Sequence, residues 1–495
     1  MEYQDDLVNT ALYIDGDERP AEGGCNYALY NPARPNELVG HAAAASHSDV
    51  EQAVKAAHAA FPSWAALSHD ERAEKLRAVA AALSADEVDI SNRSRLFTRE
   101  HGKIIKETLV EMSRLGLRFL QVADYAQRLS RDEEIAGNQF DTLVVRQARG
   151  VAALIVPWNW PLSILGAKLP QALIAGNTVV VKPSQNSALA PMKTLKIIAS
   201  LLPPGVVNVI SGSASEIGDA LVGHPLVRNV NFTGSVDVGR HVMKVAANNI
   251  TPVTLELGGN DPAIVLEDAN LNAEAFMKMY LGAFGSSGQI CMAMKRLYVH
   301  ESRYDEVVDG MINTCNKAVV GDGLLPETTM GPVNNAKQLK VVKDMIAEAQ
   351  SKGADVRECG QVPDEELYYG GGYFQKPTLV LDADQSLSVV CDEQFGPALP
   401  IMKFRSDAEA IALANDSDFG LCSSVWSPDA ERAVTISRQL EAGYTYLNGH
   451  GPMSQDGLGP FGGFKLSGIG RNLGYDGVLG FTEAHSISGP SGFLL

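Results

Sequence analysis

The chain is predicted to be an α/β protein with two sheet-bearing domains, the first of them doubly wound. Three observations predict it. Its 495 residues exceed the size at which one hydrophobic core stops growing, so two or three domains are expected. Short uninterrupted apolar runs rich in β-branched residues alternate with helical patterns between residues 151 and 260. A second strand–helix series follows residue 291.

The first part reads as helical. Val50, Val54, Ala57 and Phe61 share one face after Ser48. Ser68 and Glu71 have capping-box spacing, with Leu76, Val79, Ala80 and Leu83 following at helical period. A third pattern covers about 107–129. Residues 138–147 look like a strand without a helical partner, suited to an extension or hairpin. The runs 151–156, 178–181, 206–210 and 229–232 are read as strands, separated by helices at about 161–175, 190–201 and 215–222. Full apolar strands need helices on both sheet faces, and right-handed crossovers then make the sheet doubly wound. The second series has strands at 296–300, 378–381 and 398–404, with helices at about 303–319, 334–352 and 407–415.

Bulk properties narrow the function. With 41 basic and 59 acidic side chains the formal charge is −18, which disfavours nucleic acid and anionic membranes as partners. The six cysteines are scattered without CxxC spacing, so reduced, mostly buried thiols are expected. No HExxH or paired-histidine spacing occurs, and no metal site is expected. The acidic start Met1–Asp6 is unlike a signal or transit peptide, and no apolar run is long enough to span a bilayer. A cytoplasmic protein is expected.

Two segments carry the most chemistry. In Gly288-Gln289-Ile290-Cys291 a thiol follows a Gly/Ser-rich stretch unlike core sequence. In Glu256-Leu257-Gly258-Gly259 a carboxylate ends an apolar strand. Each has a plain structural reading, a small core thiol and a capping carboxylate. Together they are the nucleophile and the general base needed to make and then hydrolyse a thioester. Pro157-Trp158-Asn159-Trp160-Pro161 follows a strand, at the sheet end where α/β proteins bind ligands, and Asn159 is a candidate oxyanion donor. Lys182, before Pro183, Ser184 and Gln185, is either a solvated charge or a ribose or phosphate contact. Two Gly-bearing turns each follow a strand and open a helix, one with Gly212 and Gly218, the other Phe232-Thr233-Gly234-Ser235. Backbone N–H groups there suit a pyrophosphate, although neither turn is a GxGxxG and an ordinary βα loop remains an alternative. Glu393 and Phe395, in a tight turn, suit a sugar diol and a flat ring, and 460–471 is a Gly-rich basic segment.

The ordered series PWNxP, KPS, FTGS, ELGG, GQxC, ExFGP and PFGGxKxSGxGR resembles the aldehyde dehydrogenase superfamily over essentially the whole chain. The resemblance implies a Rossmann-like cofactor domain (1–130 and 149–256), an α/β catalytic domain (257–450) and a β oligomerisation extension (131–148 and 478–495) of a homodimer or homotetramer. It implies Cys291 as nucleophile, Asn159 with the Cys291 backbone N–H as oxyanion donors, and Glu256 as general base. Lys182 and Glu393 match ribose contacts, Ser235 a pyrophosphate contact, and Phe395 an aromatic beside the nicotinamide. Pro157, Trp158, Ser184, Gln185, Gly212, Gly218, Phe232, Thr233, Gly234, Leu257 and Gly258 complete the expected cofactor site.

The expected reaction is oxidation of an aldehyde to its acid with reduction of NAD. A cysteine esterase or thioesterase, or a non-catalytic member of the family, are the alternatives. Gln185 stands where a glutamate is usual in NAD-preferring members; an amide repels a 2′-phosphate less than a carboxylate, so tolerance of NADP is expected. By position Trp160, Ser163, Ile164, Ala167, Ile290, Met292, His450, Met453 and Phe461 should line the substrate tunnel. With no arginine among them, an uncharged aliphatic or aromatic aldehyde is expected.

Overall fold

The computed structural model describes residues 7–494; the acidic start Met1–Asp6 lies outside them. The Ser46 and Ser68 hydroxyls each accept from the backbone N–H three residues on and nucleate the helices His47–Ala65 and His69–Leu83, both with complete capping boxes. The 107–129 pattern resolves into Ile105–Ala123 and a short Ala126–Leu129 turn of helix. The helix expected over 161–175 is two, Pro161–Gly166 and Leu169–Ile174, because Pro170 restarts it.

Eight strands form the first sheet. Its five central strands run parallel in the spatial order Val253–Glu256, Val227–Thr233, Val151–Ile155, Thr178–Lys182, Val207–Val209. The chain enters in the middle at Val151–Ile155, winds outward on one side, then returns to the other through Val227–Thr233. That reversal lies between Val151–Ile155 and Val227–Thr233, and a doubly wound sheet opens a crevice at the carboxyl ends of such a pair. Residues 157–159 leave one of these strands and 233–235 end the other, so both motifs meet at the crevice. Antiparallel strands complete the sheet, Gly468–Ile469 at one edge and, on the other side, Leu12–Ile14 followed by the edge strand Asp17–Arg19.

Residues 257–260 pass directly from the carboxyl end of this sheet to Asp261–Val265 of the second. The second sheet has seven strands, parallel except for the edge strand Asp355–Glu358. The catalytic candidates therefore sit where the carboxyl edge of one sheet faces the amino edge of the other, with Cys291 just before Met294–His300. Phe140–Ala148 pairs antiparallel with Thr482–Pro490 over nine positions and with Glu133–Ile135 on its other edge, forming a separate three-stranded sheet. Ile135, Phe140 and Ile487 on it are exposed. No helix among the described residues is long and apolar enough to cross a membrane.

Candidate active site between the two sheets

Cys291 is partly exposed and borders two clefts, of about 770 Å³ and about 710 Å³. Asn159 and Thr233 border both, and Glu256 lines only the first. Cys291, Asn159 and Glu256 are thus brought to one place from three distant segments.

The turn that presents Cys291 is strained and clamped. Ser286, Ser287 and Gly288 all have positive φ, at 51°, 55° and 72°. Such backbone costs about 1–3 kcal/mol per non-glycine residue unless its surroundings enforce it. Two buried ions of opposite sign enforce it here. The Ser286 N–H donates to Glu107 Oε1 at 2.6 Å, and Lys295 Nζ donates to the Gly288 carbonyl at 2.7 Å. The Ser287 hydroxyl donates to Gly331 O and the Gln289 amide to Ser286 O. At Gly288 a Cβ would fall 2.3 Å from Gly396 O, and at Gly259 one would fall 2.5 Å from Cys291 O, so glycine lets both turns pack against the nucleophile segment. Asn159 Nδ2 donates to the Gln289 carbonyl at 2.9 Å, which fixes its amide beside Cys291.

The carboxyl of Glu256 is buried, and neither oxygen accepts a hydrogen bond from a described group. Burial pushes its pKa up to about 8 against the pull of Lys168 and Arg471. Lys168, fully buried, donates to Asn231, which donates to Asn472 at 2.8 Å; burial brings the Lys168 amine down to about 7. Burial also raises the Cys291 thiol, with the Glu393, Asp261 and Glu256 carboxyls adding to it. A cysteine so placed is a thiol at neutral pH, and it needs a base to become a nucleophile. A poised carboxyl and an anchored amide donor at one accessible thiol suit acyl chemistry.

The larger cleft is lined by Trp160, Ser163, Ile164, Ala167, Ile290, Met292 and Phe461. His450 and Met453 do not join them. The His450 ring is buried against Tyr446, with Nδ1 2.9 Å from Ser424 Oγ, and Met453 is exposed beside Arg114. The bend at Gly451, with φ 78°, turns the chain so that Pro452 and Gln455 take the lining positions. The lining also contains Arg114 and Arg118, which removes the ground for expecting an uncharged substrate. Both come from the helix Ile105–Ala123, far upstream of every motif. The same helix supplies Glu107 to the Cys291 turn. It also supplies Glu111, whose Oε1 accepts from the Leu162 and Ser163 N–H groups and caps the helix after Asn159. Glu111 pairs with buried Lys103, whose amine lies 3.9 Å over the Trp160 ring. Residues 107, 111, 114 and 118 are spaced 4-3-4, one face of a helix; ionic residues in register with its buried face were the available sequence signal.

The second cleft is lined by Pro157, Trp158, Thr233, Gly234, Ser235, Leu257, Gly258, Glu393 and Phe395, together with Gln338 and Val341. Trp158 and Phe395 meet edge to face with centroids 5.5 Å apart. Ser235 starts the helix Val236–Ala246, whose first N–H groups take no side-chain cap. Uncapped donors at a helix start, two aromatic faces and a carboxylate at Glu393 fit a dinucleotide's phosphates, flat ring and sugar. Glu393 Oε1 accepts from Gly259 N at 3.0 Å. The remaining expected cofactor residues do not line this cleft. Lys182 is buried at its strand end, and burial lowers its amine to about 8; Ser184 is half-buried and Gln185 exposed in the turn beyond it. The Gly212 backbone adopts φ 148° against Ala45, Gly218 lies inside the helix Ala214–Val222, and Phe232 is core. A Cβ at Gly218 would meet only the Ala214 Cβ, at 4.0 Å, so packing does not require a glycine there.

Comparison with known proteins agrees with this arrangement. The model of the Aldehyde dehydrogenase family matches residues 19–487. The glutarate-semialdehyde dehydrogenase of Pseudomonas aeruginosa is 36% identical over 96% of this chain and 97% of its own length. The succinate-semialdehyde dehydrogenase (NADP(+)) of Escherichia coli is 36% identical with the same coverage, 96% and 97%. The crystal structure of betaine aldehyde dehydrogenase from Staphylococcus aureus in complex with NAD+ superposes with a TM-score of 0.90 at 31% identity, covering 98% of this chain and 96% of that one.

Proposed function

The chain belongs to the aldehyde dehydrogenase family, and on that premise we propose that it oxidises an aldehyde to the carboxylic acid through a thioester on Cys291, with NAD as oxidant and NADP tolerated. The observation that carries this reading is the placement of Cys291 at the meeting point of two clefts, with Asn159 at both and unpartnered Glu256 at one.

The aldehyde enters the larger cleft, and the Cys291 sulfur bonds to its carbonyl carbon as the thiol proton passes to the Glu256 carboxylate, which releases it to solvent before the second half-reaction. Negative charge develops on the carbonyl oxygen, where the Asn159 amide and the Cys291 N–H stabilise it, each worth about 3 kcal/mol. Ser235, Glu393 and Phe395 would hold a nicotinamide dinucleotide in the second cleft, and it would accept the hydride that leaves the former aldehyde carbon as the thioester forms. Glu256 then takes a proton from water, whose oxygen attacks the thioester carbon; the C–S bond breaks and the acid leaves. A carboxyl poised at about 8 is matched to that task near neutral pH.

The relatives supply the cofactor reading, since their names carry both NAD+ and NADP(+). Glutarate and succinate semialdehyde, which the names of two relatives carry, end in a carboxylate, and this agrees better with the two arginines than the expected uncharged substrate or a cationic betaine aldehyde does. The exposed apolar residues of the three-stranded sheet support its role in joining subunits of a dimer or tetramer, and light scattering of the purified protein tests that. Six free thiols, two of them exposed, suit the reducing cytoplasm. An aldehyde panel with each dinucleotide, read at 340 nm, tests the reaction. Ester hydrolysis without reduced dinucleotide would replace it with a cysteine esterase.

A further inference from the structure

The substrate cleft has an ionic end that the reaction does not use. Arg114 and Arg118 both line it, one helical turn apart on the Ile105–Ala123 helix. Among the described residues neither guanidinium has a carboxylate within ion-pair distance. Arg118 donates to the Gln121 amide at 2.7 Å, and an Arg114 nitrogen lies 3.2 Å from the Met453 sulfur. Burial disfavours the charge on each, and Arg114 adds to that at Arg118; Glu111 and Asp456 offset it only from a distance. Glu111 is already paired with Lys103, and Asp456 is exposed and accepts from Leu458 N.

Three uncharged groups bordering the same cleft also lack partners: Ser163 Oγ, Gln455 Nε2 and Trp160 Nε1, the last on a side chain only 7% exposed. The two nitrogens carry N–H donors and the hydroxyl can donate. Two half-buried cations with no carboxylate in ion-pair distance, beside three unmatched polar groups, make a site suited to an anion.

We propose that Arg114 and Arg118, with Gln455 and Ser163, bind a carboxylate at the far end of the aldehyde, so that the substrate is an ω-carboxylated aldehyde. This rests on the reading that aldehydes are oxidised at Cys291. Planar guanidinium forks match a carboxylate in two-point geometry, whereas a trimethylammonium end meets repulsion from both. The Glu111 cap ties the subsite to the Asn159 segment, because one rigid helix carries Glu111, Arg114 and Arg118.

The test compares glutarate semialdehyde, pentanal and betaine aldehyde as substrates of the full-length enzyme, and of Arg114→Met, Arg118→Met, the double variant and Arg118→Lys. The wild type is expected to prefer glutarate semialdehyde over pentanal by at least about 30-fold in kcat/KM, with betaine aldehyde poorest. The preference falls about tenfold in each single variant and disappears in the double one, chiefly through KM, and Arg118→Lys restores part of it. In parallel, millimolar glutarate should raise the melting temperature of the wild type but not of the double variant, while valerate should do neither. Equal turnover of pentanal, preference for betaine aldehyde, or a selectivity unchanged in the double variant would each overturn the subsite. Should no aldehyde yield reduced dinucleotide, the reaction reading fails by itself and the glutarate melting shift still decides the subsite.

Discussion

The two clefts that meet at Cys291 are built differently. The dinucleotide-facing cleft is assembled from strand ends: 157–158 after Val151–Ile155, 233–235 after Val227–Thr233, and 257–258 after Val253–Glu256. Sheet pairing alone lines these segments up, since adjacent parallel strands in register must end side by side. The substrate-facing cleft also takes Asn159, Thr233 and Glu256 from these strand ends but draws its two arginines from a helix about 170 residues upstream of the nucleophile in sequence. Its composition depends on how that helix rolls against the Pro161–Gly166 helix, not on strand order. Chemistry common to the reaction sits on the sheet ends, and discrimination between substrates sits on the helix.

The comparison can be broken first at the shared point. Cys291→Ala should lower reduced-dinucleotide formation by about four to six orders of magnitude with any aldehyde. Residual activity within a hundredfold of wild type would mean another nucleophile. Next, Glu256→Gln separates the two half-reactions: a single turnover of dinucleotide reduction should be followed by a stall, with steady-state turnover down about 10²- to 10⁴-fold. In the wild type the deacylation rate should rise with pH through about 8, because the base works when ionised. The same shift has a stability consequence. A carboxyl raised in the folded state favours folding below its unfolded value and loses that contribution as pH rises through about 8. Glu256→Gln should therefore melt higher than wild type at pH 9, and the difference should shrink toward pH 5. An identical melting difference at both pH values would contradict the raised carboxyl.

The clamp on the nucleophile turn offers a sharper test of what the upstream helix does. Glu107→Gln and Lys295→Met should each slow turnover about tenfold, more in kcat than in KM. Lys295→Met should also shift the pH dependence of Cys291 alkylation by iodoacetamide upward, since it removes a cation close to the Glu393 and Asp261 carboxyls and the thiol. Loss of melting temperature with an unmoved alkylation profile would reduce Lys295 to a structural role. The smallest effect is expected on the cofactor side, where Gln185 is exposed. Gln185→Glu should raise the preference for NAD over NADP about five- to tenfold, the scale of one close like-charge pair near water. An absolute NAD requirement in the wild type would remove the NADP tolerance.

Much was legible before any coordinates. Uninterrupted β-branched apolar runs located the strands at 151–156, 178–181, 378–381 and 398–404 within a residue or so, and the Ser68–Glu71 spacing marked a true helix start. These are local properties, set by φ/ψ preferences and by which face of an element is apolar. Cys291, Glu256 and Asn159 could be singled out because each lies at a break in the pattern, a thiol after Gly/Ser-rich sequence, a carboxyl at a strand end and an amide between two prolines. His450 and Met453 were misread because one positive-φ residue, Gly451, redirects the chain between them and the cleft.

Residue order by itself determined which elements form, that the first sheet is doubly wound, and that a thiol, an amide and a carboxyl stand at the ends of elements or in loops. Only the packed structure decided that Glu107, Glu111, Arg114 and Arg118 face inward, that Lys168 and Lys295 are buried without a carboxylate partner, and that two clefts rather than one reach the sulfur. The reason is one of range. Backbone propensity and pairing act over a few residues, whereas the direction a charged side chain takes from a helix is set by neighbours brought close from elsewhere in the chain. Desolvating an ion is unfavourable enough that those neighbours determine both its partner and its protonation.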